Sequence, residues 1–325
     1  MDEWGKKIFG LKKEDFPALA LEIFRFQYEN NPIYRLYTDT LGIDPGRVLQ
    51  VRDIPFLPVS FFKTHTVRTT DFTPETVFES SGTTGTRGSR HEVKDLNLYK
   101  KSFTAGFEQF YGPVADWCVI GLLPAYLERS NSSLVVMVDE MIRMSRHAES
   151  GFYLYEHQAL HELLGKLEQQ GQKALLIGVT FALLDFAEKY SLSLRHTVVM
   201  ETGGMKGRRK EITRPELHDF LKERLGLNAI HAEYGMTELL SQAYSDGNGL
   251  FACPPWMKAL VRSEDDPLET GEKGDGILNV IDLANIYSCS FLATEDIGRI
   301  HANGRFEVSG RVDNSDIRGC SLMVM

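Results

Sequence analysis

Residues 78–91 read FESSGTTGTRGSRH and are the most informative stretch of the chain. They include three glycines, six Ser or Thr residues and two arginines, and a helical pattern opens soon afterwards, near Asp95. Glycine permits the positive-φ turns that bring successive backbone N–H groups onto one anion, while hydroxyls add donors and arginine adds charge. The composition therefore predicts a phosphate-binding loop, with a flexible Gly/Ser linker as the alternative.

Two common nucleotide-binding loops do not fit this stretch. In the pattern GxxxxGK[ST], counted from Gly82, the second glycine would fall where Arg87 stands, and GxGxxG fails as well. The stretch therefore gives no support to a P-loop kinase or to a dinucleotide-dependent dehydrogenase.

Two further candidate loops, ETGGMKG at 201–207 and EYGMTE at 233–238, each follow an apolar run that predicts a strand. In the second loop, Tyr234 is suited to cover a nucleobase and Thr237 to bind a phosphate oxygen. Glu238 is suited to hold Mg²⁺, a hard ion that prefers carboxylate oxygen. A plain connection between a strand and a helix is an equal alternative for the first loop.

Two more candidate loops lie near the end of the sequence, ATEDIGR at 293–299 and GRVDNSDIRGC at 310–320. Asp296 in the first is suited to accept hydrogen bonds from ribose hydroxyls. His157 and His161 stand four residues apart, but neither HExxH nor HxxEH is spelled, and their surroundings predict an amphipathic surface helix.

Composition narrows the class of protein. The 325 residues allow one large α/β domain or two smaller ones, and 42% hydrophobic with 25% charged residues is ordinary for a globular chain. A net charge of −9 disfavours nucleic-acid binding, which needs Lys and Arg against phosphates. No window of 18 apolar residues occurs, and the four scattered cysteines form no CxxC pair. We expect a cytoplasmic protein without a membrane span.

Hydrophobic patterning predicts a mostly parallel sheet followed by a small antiparallel β portion. Amphipathic helices are expected in residues 13–42 and a loop around Pro55 and Pro58. Strand-like and helical runs then alternate, which is typical of βαβ units. The predicted strands are 134–138, 174–179, 197–200 and 229–232, the predicted helices are 96–110, 156–169 and 215–225, and the antiparallel portion follows residue 276.

In this order, the five segments resemble the core motifs of the adenylate-forming superfamily, which comprises acyl-CoA synthetases, nonribosomal adenylation domains and luciferases. The shared motifs are SGTTG at 81–85, YGxTE at 234–238, an Asp after a Thr at 294–296, and GRxD at 310–313. The combination of SSGTTG with SRH, LPAYLERSNSSLV at 123–135, ETGGMKG and a late RGC is similar to the LuxE-like acyl-protein synthetase family. The resemblance covers about residues 55–325.

The resemblance implies an α/β adenylate-forming core with mixed sheets flanked by helices, a small C-terminal β portion, and roles for specific residues. The implied ATP-binding residues are Ser80, Ser81, Gly82, Thr83, Thr84, Gly85, His91, Gly203, Gly204, Tyr234, Gly235, Asp296 and Arg311. The implied catalytic residues are Thr237 and Cys320, with Glu238 as the Mg²⁺ ligand. Lys206 and Arg87 are further catalytic candidates because of their positions in the motif loops.

One departure from the superfamily concerns the C-terminus. Longer members continue past the hinge into a mobile lid whose lysine contacts the acyl-adenylate, whereas this sequence has 12 residues after Asp313 and no lysine after Lys273. We therefore expect the lid to be largely absent, with Lys206 and Arg87 as the cations near the α-phosphate. In the resembled family the acyl group passes to a cysteine near the C-terminus, which here is Cys320; an inert residue in a last strand is the alternative.

The sequence thus predicts an N-terminal helical segment at 1–75, an adenylate-forming core at 76–312 and a short tail at 313–325. The expected reaction is activation of a carboxylic acid, chiefly a fatty acid, by ATP with Mg²⁺ to acyl-AMP, followed by transfer to a protein thiol. An acyl reductase is an expected partner. The alternatives are an acid–CoA ligase like phenylacetate–CoA ligase and a non-catalytic subunit that binds nucleotide or scaffolds a reductase.

Overall fold

The computed structural model describes residues 2–80, 88–124, 131–203 and 212–312. The α-helices in these ranges are α1 (Glu3–Phe9), α2 (Phe16–Asn30), α3 (Pro32–Thr40), α4 (Phe61–Thr64), α5 (Leu96–Tyr111), α6 (Ser133–Ser145), α7 (His157–Gln170), α8 (Thr180–Lys189) and α9 (Arg214–Leu225). The strands are β1 (Leu57–Pro58), β2 (Thr76–Glu79), β3 (Arg90–Val93), β4 (Cys118–Leu122), β5 (Gly151–Phe152), β6 (Ala174–Gly178), β7 (Thr197–Glu201), β8 (His231–Tyr234), β9 (Ala243–Ser245), β10 (Phe251–Ala252), β11 (Met257–Arg262), β12 (Thr270–Gly271), β13 (Gly274–Asp282), β14 (Phe291–Ile300) and β15 (Phe306–Arg311).

The chain forms two compact units. The first contains the described residues of 2–106, 235–243 and 252–312, and the second those of 107–234 and 244–251. On the basis of the order of the motifs, the sequence predicts domain boundaries after residues 75 and 312, and these boundaries stay a prediction.

The first unit contains the antiparallel β portion. Its strands run in the order β12-β11-β13-β14-β15, each pair antiparallel, and β1 adds to β14 in parallel. This confirms the antiparallel portion after residue 276, and β11 and β12 extend it toward the N-terminus. The short strand β1 corrects the loop expected around Pro55 and Pro58: Leu57 and Pro58 pair with Leu292 and Ala293.

The second unit contains the parallel sheet, with strands in the order β8-β7-β6-β4-β5. Every residue of β4 and β6 is buried, because helices cover parallel strands on both faces. Helix α7 buries Leu160, Leu163, Leu164 and Leu167, which recur at helical spacing on one face. These elements confirm the alternation of strands and helices that the sequence predicts.

The strand predicted at 134–138 is wrong, because these residues lie in helix α6. The Ser132 hydroxyl accepts from the Val135 amide and caps the first turn. The apolar run continues through Met137, Val138 and Met141, which are buried at helical spacing. A short apolar run at the start of an amphipathic helix is difficult to distinguish from a strand by composition alone.

Candidate active site

Several predicted site residues lie outside the described residues. They are Ser81, Gly82, Thr83, Thr84, Gly85, Arg87, Gly204, Lys206 and Cys320. The described ones fall in both units: Ser80, His91, Gly235, Thr237, Glu238, Asp296 and Arg311 in the first, and Gly203 and Tyr234 in the second.

The Gly-rich stretch joins two antiparallel strands. In this β2–β3 ribbon, Phe78 pairs with His91 and Glu79 with Arg90. One residue further, the Ser80 amide donates to the Ser89 carbonyl at 3.0 Å, and the Ser89 amide donates to the Ser80 hydroxyl at 2.8 Å. Both ends of the stretch are therefore held together at Ser80 and Ser89.

His91 is buried, with 1% of its surface exposed, and its ring meets the edges of Phe62 and Phe78. Its Nδ1 lies 2.8 Å from the Thr237 carbonyl oxygen, and because a carbonyl can only accept, Nδ1 carries the hydrogen. Burial lowers the pKa of His91, which therefore favours the neutral imidazole. Its contact in this structure is with the backbone of the EYGMTE segment.

The segment at 236–242 follows β8 and carries Thr237 and Glu238. Glu238 is fully buried, and its carbonyl accepts from Asn285 Nδ2 at 2.7 Å. The Asp282 carboxylate accepts from the amides of Leu240 at 2.7 Å and Ser241 at 2.9 Å. Burial raises the pKa of Asp282 to about 6, although the hydrogen bonds that it accepts oppose that rise.

Thr237 and Glu238 offer the oxygen donors that Mg²⁺ prefers, a hydroxyl and a carboxylate. Within the described ranges, no group of three or more His, Cys, Asp or Glu residues is placed to hold a metal ion. The donor set therefore fits an ion that is bound through one carboxylate together with substrate phosphates and water.

Asp296 and Arg311 pair across neighbouring strands. The two residues are register partners in β14 and β15, and Arg311 Nε donates to Asp296 Oδ1 at 3.0 Å. The Arg311 side chain is only 4% exposed, and the Asp296 side chain is only 1% exposed. Residues 293–299 lie within β14 and Arg311 ends β15, which agrees with the expected antiparallel β portion and corrects the description of 293–299 as a loop; the rest of the second motif, from residue 313, lies outside the described residues.

In the second unit, the turn after β7 is organised around Glu201. Glu201 lies at the carboxyl end of its strand, and its Oε2 accepts from the Gly203 amide at 2.6 Å. Gly203 has φ of +73°, a conformation that glycine adopts without strain. The neighbouring Thr202 hydroxyl is buried and has no hydrogen-bond partner among the described residues.

An arginine and a histidine lie beside the buried Glu201 carboxylate and compensate it. Arg214 Nε lies 3.2 Å and His218 Nε2 3.7 Å from Glu201 Oε1. Burial alone would raise the pKa of Glu201, but Arg214 and His218 hold it below its usual value. Arg214 also lies over the ring of Phe251, which is 5.8 Å from the ring of Tyr234. Arg214 therefore links the turn after β7 to the aromatic pair that includes Tyr234.

Sequence reasoning missed Glu201, Asp282 and Asn285 as side chains that organise these segments. A signal exists for two of them: Glu201 ends the apolar run TVVME, and Asp282 interrupts the apolar run of β13. A charged residue within or at the end of a buried strand needs a partner, and therefore marks a place where polar groups meet.

A family model identifies the family, and a curated relative is similar over most of its length. The model of the acyl-protein synthetase family LuxE matches residues 11–325. The long-chain-fatty-acid–luciferin-component ligase of Vibrio harveyi is 25% identical over 340 residues, covering 96% of this chain and 87% of the relative.

Solved structures share the fold at low sequence identity. A 2-hydroxyisobutyryl-CoA ligase in the postadenylation state, in complex with 2-HIB-AMP, has a TM-score of 0.63 and 13% identity, covering 94% of this chain and 69% of that chain. ATP-bound MatB from Rhodopseudomonas palustris has a TM-score of 0.54 and 17% identity, covering 72% of this chain and 47% of that chain. The chain thus spans about half the length of the MatB structure.

Among the described residues, no helix is both long and apolar enough to cross a lipid bilayer. With a family match over nearly its whole length and the fold of adenylate-forming enzymes, the chain belongs to the LuxE family of acyl-protein synthetases.

Proposed function

We propose that this protein uses ATP to activate a fatty acid as acyl-AMP and then transfers the acyl group to a protein cysteine. The observation that carries the proposal is the match to the LuxE acyl-protein synthetase family over residues 11–325. The Vibrio harveyi relative, a long-chain-fatty-acid ligase by name, supports a fatty acid as the substrate.

The proposed reaction has two steps. A carboxylate oxygen attacks the α-phosphorus of ATP, and the bond to the leaving pyrophosphate breaks. A cysteine thiolate then attacks the acyl carbonyl carbon, a thioester forms and AMP leaves. The thiol loses its proton to solvent or to a nearby base before the attack.

We assign the ATP contacts by motif. The stretch from Ser80 to Gly85 lies against the β- and γ-phosphates, His91 supports this part of the site from the strand that follows, and Asp296 with Arg311 binds the ribose. Gly203, Gly204, Tyr234 and Gly235 frame the adenine. The buried Asp296–Arg311 pair supports the ribose assignment, because Arg311 Nε donates to Asp296 Oδ1 and so orients the carboxylate.

We assign the stabilisation of the charged transition state to a second set of residues. Negative charge grows on the α-phosphate during the first step and requires positive charge or hydrogen-bond donors nearby. Lys206 and Arg87 supply the cations, Thr237 donates to a phosphate oxygen, and Glu238 holds Mg²⁺. Bound there, Mg²⁺ would neutralise phosphate charge.

Cys320 is the proposed acyl acceptor. Burial raises the pKa of Cys253 and Cys289 to about 12 and also raises the pKa of Cys118. These three thiols therefore stay protonated at neutral pH and are poor nucleophiles. This supports Cys320, the fourth cysteine of the sequence, as the residue that accepts the acyl group.

The test of the first step is acid-dependent ATP–pyrophosphate exchange with Mg²⁺ present and CoA absent. Exchange with fatty acids, and not with aryl or amino acids, is the expected result. In a parallel assay with CoA added, transfer of the acyl group only to free CoA would favour the acid–CoA ligase. ATP binding without exchange for any acid would favour a non-catalytic subunit.

The test of the second step follows radiolabelled fatty acid with ATP. We expect a protein-bound label that hydroxylamine releases, as it does a thioester, and that Cys320→Ser loses while pyrophosphate exchange continues. Cys253→Ser is the matched control and should keep the label. Retention of hydroxylamine-sensitive label in Cys320→Ser would show that another residue is the acceptor.

The partner and the location belong to the same proposal. A thioester on a protein cysteine is a substrate for reduction, so an acyl reductase suits the next step. A cytoplasmic location suits an ATP-consuming enzyme, and the three described cysteines are free, as in a reducing compartment.

A further inference from the structure

We propose that His91, Asn285 and Asp282 are positioning residues that fix the segment at 236–242, and with it Thr237 and Glu238, for MgATP. The inference deepens the proposed function and rests on it. None of the three needs to touch ATP, because each acts on the backbone of the segment.

The two peptide groups that flank Glu238 are both held. The carbonyl of Thr237 accepts from His91 Nδ1 at 2.8 Å, and the carbonyl of Glu238 accepts from Asn285 Nδ2 at 2.7 Å. Rotation of either peptide group would leave a buried donor without its partner, which is costly. The backbone angles of Glu238, and so the origin of its side chain, are fixed by these two contacts.

Asp282 holds the end of the same segment. Besides the amides of Leu240 and Ser241, its carboxylate accepts from the Ser241 hydroxyl and from the Ala284 amide at 3.1 Å. The Ser241 hydroxyl also meets Trp256 Nε1 at 3.0 Å. A fully buried carboxylate is retained only where several donors compensate it, as they do here.

The three side chains come from two places in the first unit. Asp282 caps and Asn285 ends a single 3₁₀ turn that follows β13, so one turn supplies two of the contacts. His91 lies on β3, at the base of the Gly-rich stretch, where it pairs with Phe78. His91 therefore connects the base of the proposed phosphate-binding stretch to the Thr237 backbone.

A direct phosphate contact through His91 is the competing role. It would call for an accessible ring, whereas this ring is 1% exposed and contacts Phe62 and Phe78. The positioning role requires only the N–H at Nδ1.

Two polar replacements separate these roles. The amide nitrogen of Asn lies as many bonds from Cα as Nδ1, whereas that of Gln lies one bond further, as Nε2 does. We expect His91→Gln to lower kcat/KM for MgATP about thirtyfold in pyrophosphate exchange, through a raised KM for MgATP and with the KM for the acid unchanged. His91→Asn should recover kcat/KM to within about threefold of wild type.

A third variant controls for the loss of any buried hydrogen bond. Tyr111→Phe removes the 3.1 Å contact between the Tyr111 hydroxyl and His231 Nδ1 in the second unit. It should leave the KM for MgATP unchanged. Equal losses in His91→Asn and His91→Gln would overturn the positioning role and favour a direct contact of the imidazole.

Amide hydrogen exchange provides a readout that does not depend on activity. The Leu240 and Ser241 amides should exchange faster in His91→Gln than in wild type, and at the wild-type rate in His91→Asn and Tyr111→Phe. If the wild-type protein shows no ATP–pyrophosphate exchange, the proposed function fails. Amide hydrogen exchange at Leu240 and Ser241 still tests whether His91 positions the segment at 236–242. Unchanged exchange of these amides in His91→Gln would overturn the inference.

Discussion

Glu233 is an acidic side chain whose proton the fold retains at neutral pH. Burial and the nearby Glu201 carboxylate raise the pKa of Glu233 to about 8, from an ordinary value of 4.5. The folded state therefore binds this proton more tightly than the unfolded state. The stability that the proton contributes is complete below pH 4.5 and is lost as the pH rises through about 8.

We therefore predict that Glu233→Gln matches wild type in urea midpoint at about pH 5 and exceeds it at about pH 9, since the amide never ionises. Circular dichroism in urea at both values measures this. Glu272→Gln, at an exposed surface pair with Lys258, is the control and should show no such divergence. A constant difference between Glu233→Gln and wild type at both pH values would contradict the prediction.

At the scale of single residues, the sequence identifies the residues of the motifs better than the side chains that hold those motifs in place. Asp296 and Arg311 stand in recognisable motifs, and the structure places them side by side. Asp282 and Asn285 stand in no motif, and each contacts a backbone group more than forty residues away. Such contacts depend on the register of distant strands, which local sequence patterns do not specify.

At the scale of elements, two helices end in the same way but in different surroundings. Helices α7 and α9 both finish at a left-handed glycine, Gly171 with φ of 65° and Gly226 with φ of 66°. A Cβ on Gly171 would meet nothing within 4 Å, whereas one on Gly226 would lie 2.9 Å from Ser193 Cα.

We predict that Gly171→Ala lowers the free energy of unfolding by about 1 kcal/mol, the cost of a left-handed conformation. Gly226→Ala should cost at least about twice as much, because the backbone at Ser193 must also move. Urea unfolding of both variants measures the difference, and each serves as the control for the other. Equal costs would show that the backbone near Ser193 yields freely.

The elements also show where sequence patterns suffice. Helix α7 is predicted within a residue at each end because its leucines recur on one face and Gly171 ends it. Helix α6 is mistaken for a strand because its first turn is uniformly apolar, and its cap at Ser132 is the overlooked signal. For the distinction of a helix from a strand by sequence, a capping residue is therefore as informative as a short apolar run.

At the scale of the whole molecule, helix α2 is hydrogen-bonded to residues 285–290, which follow it by more than 250 residues in the sequence. Gln27 Nε2 donates to the carbonyls of Asn285 at 3.2 Å and Ile286 at 2.9 Å, and Gln27 Oε1 accepts from the Ser290 amide at 2.9 Å. One buried side chain thus satisfies three backbone groups that lie more than 250 residues from it.

We predict that Gln27→Ala lowers the free energy of unfolding by about 3 kcal/mol, because three buried backbone groups each lose a hydrogen bond. Gln158→Ala is the control, since Gln158 bonds only on the surface, to Glu162, and its loss should cost less than about 0.5 kcal/mol. Urea unfolding followed by circular dichroism compares them. A cost for Gln27→Ala no larger than the control's would mean that water replaces the lost contacts.

The hydrogen bonds between Gln27 and residues 285–290 also determine the order in which parts of the chain can pack during synthesis. Residues of the second unit at 107–234 are made as one continuous run and can fold as soon as they emerge, because N-terminal segments fold first during synthesis. Helix α2 emerges earlier, yet its partners at 285–290 are translated more than 250 residues later. Until then its apolar face, with Phe24 and Ile23, has no β14 to cover it. A nascent chain of this protein therefore presents an uncovered apolar helix face to chaperones from the emergence of α2 until residues 285–290 have been made.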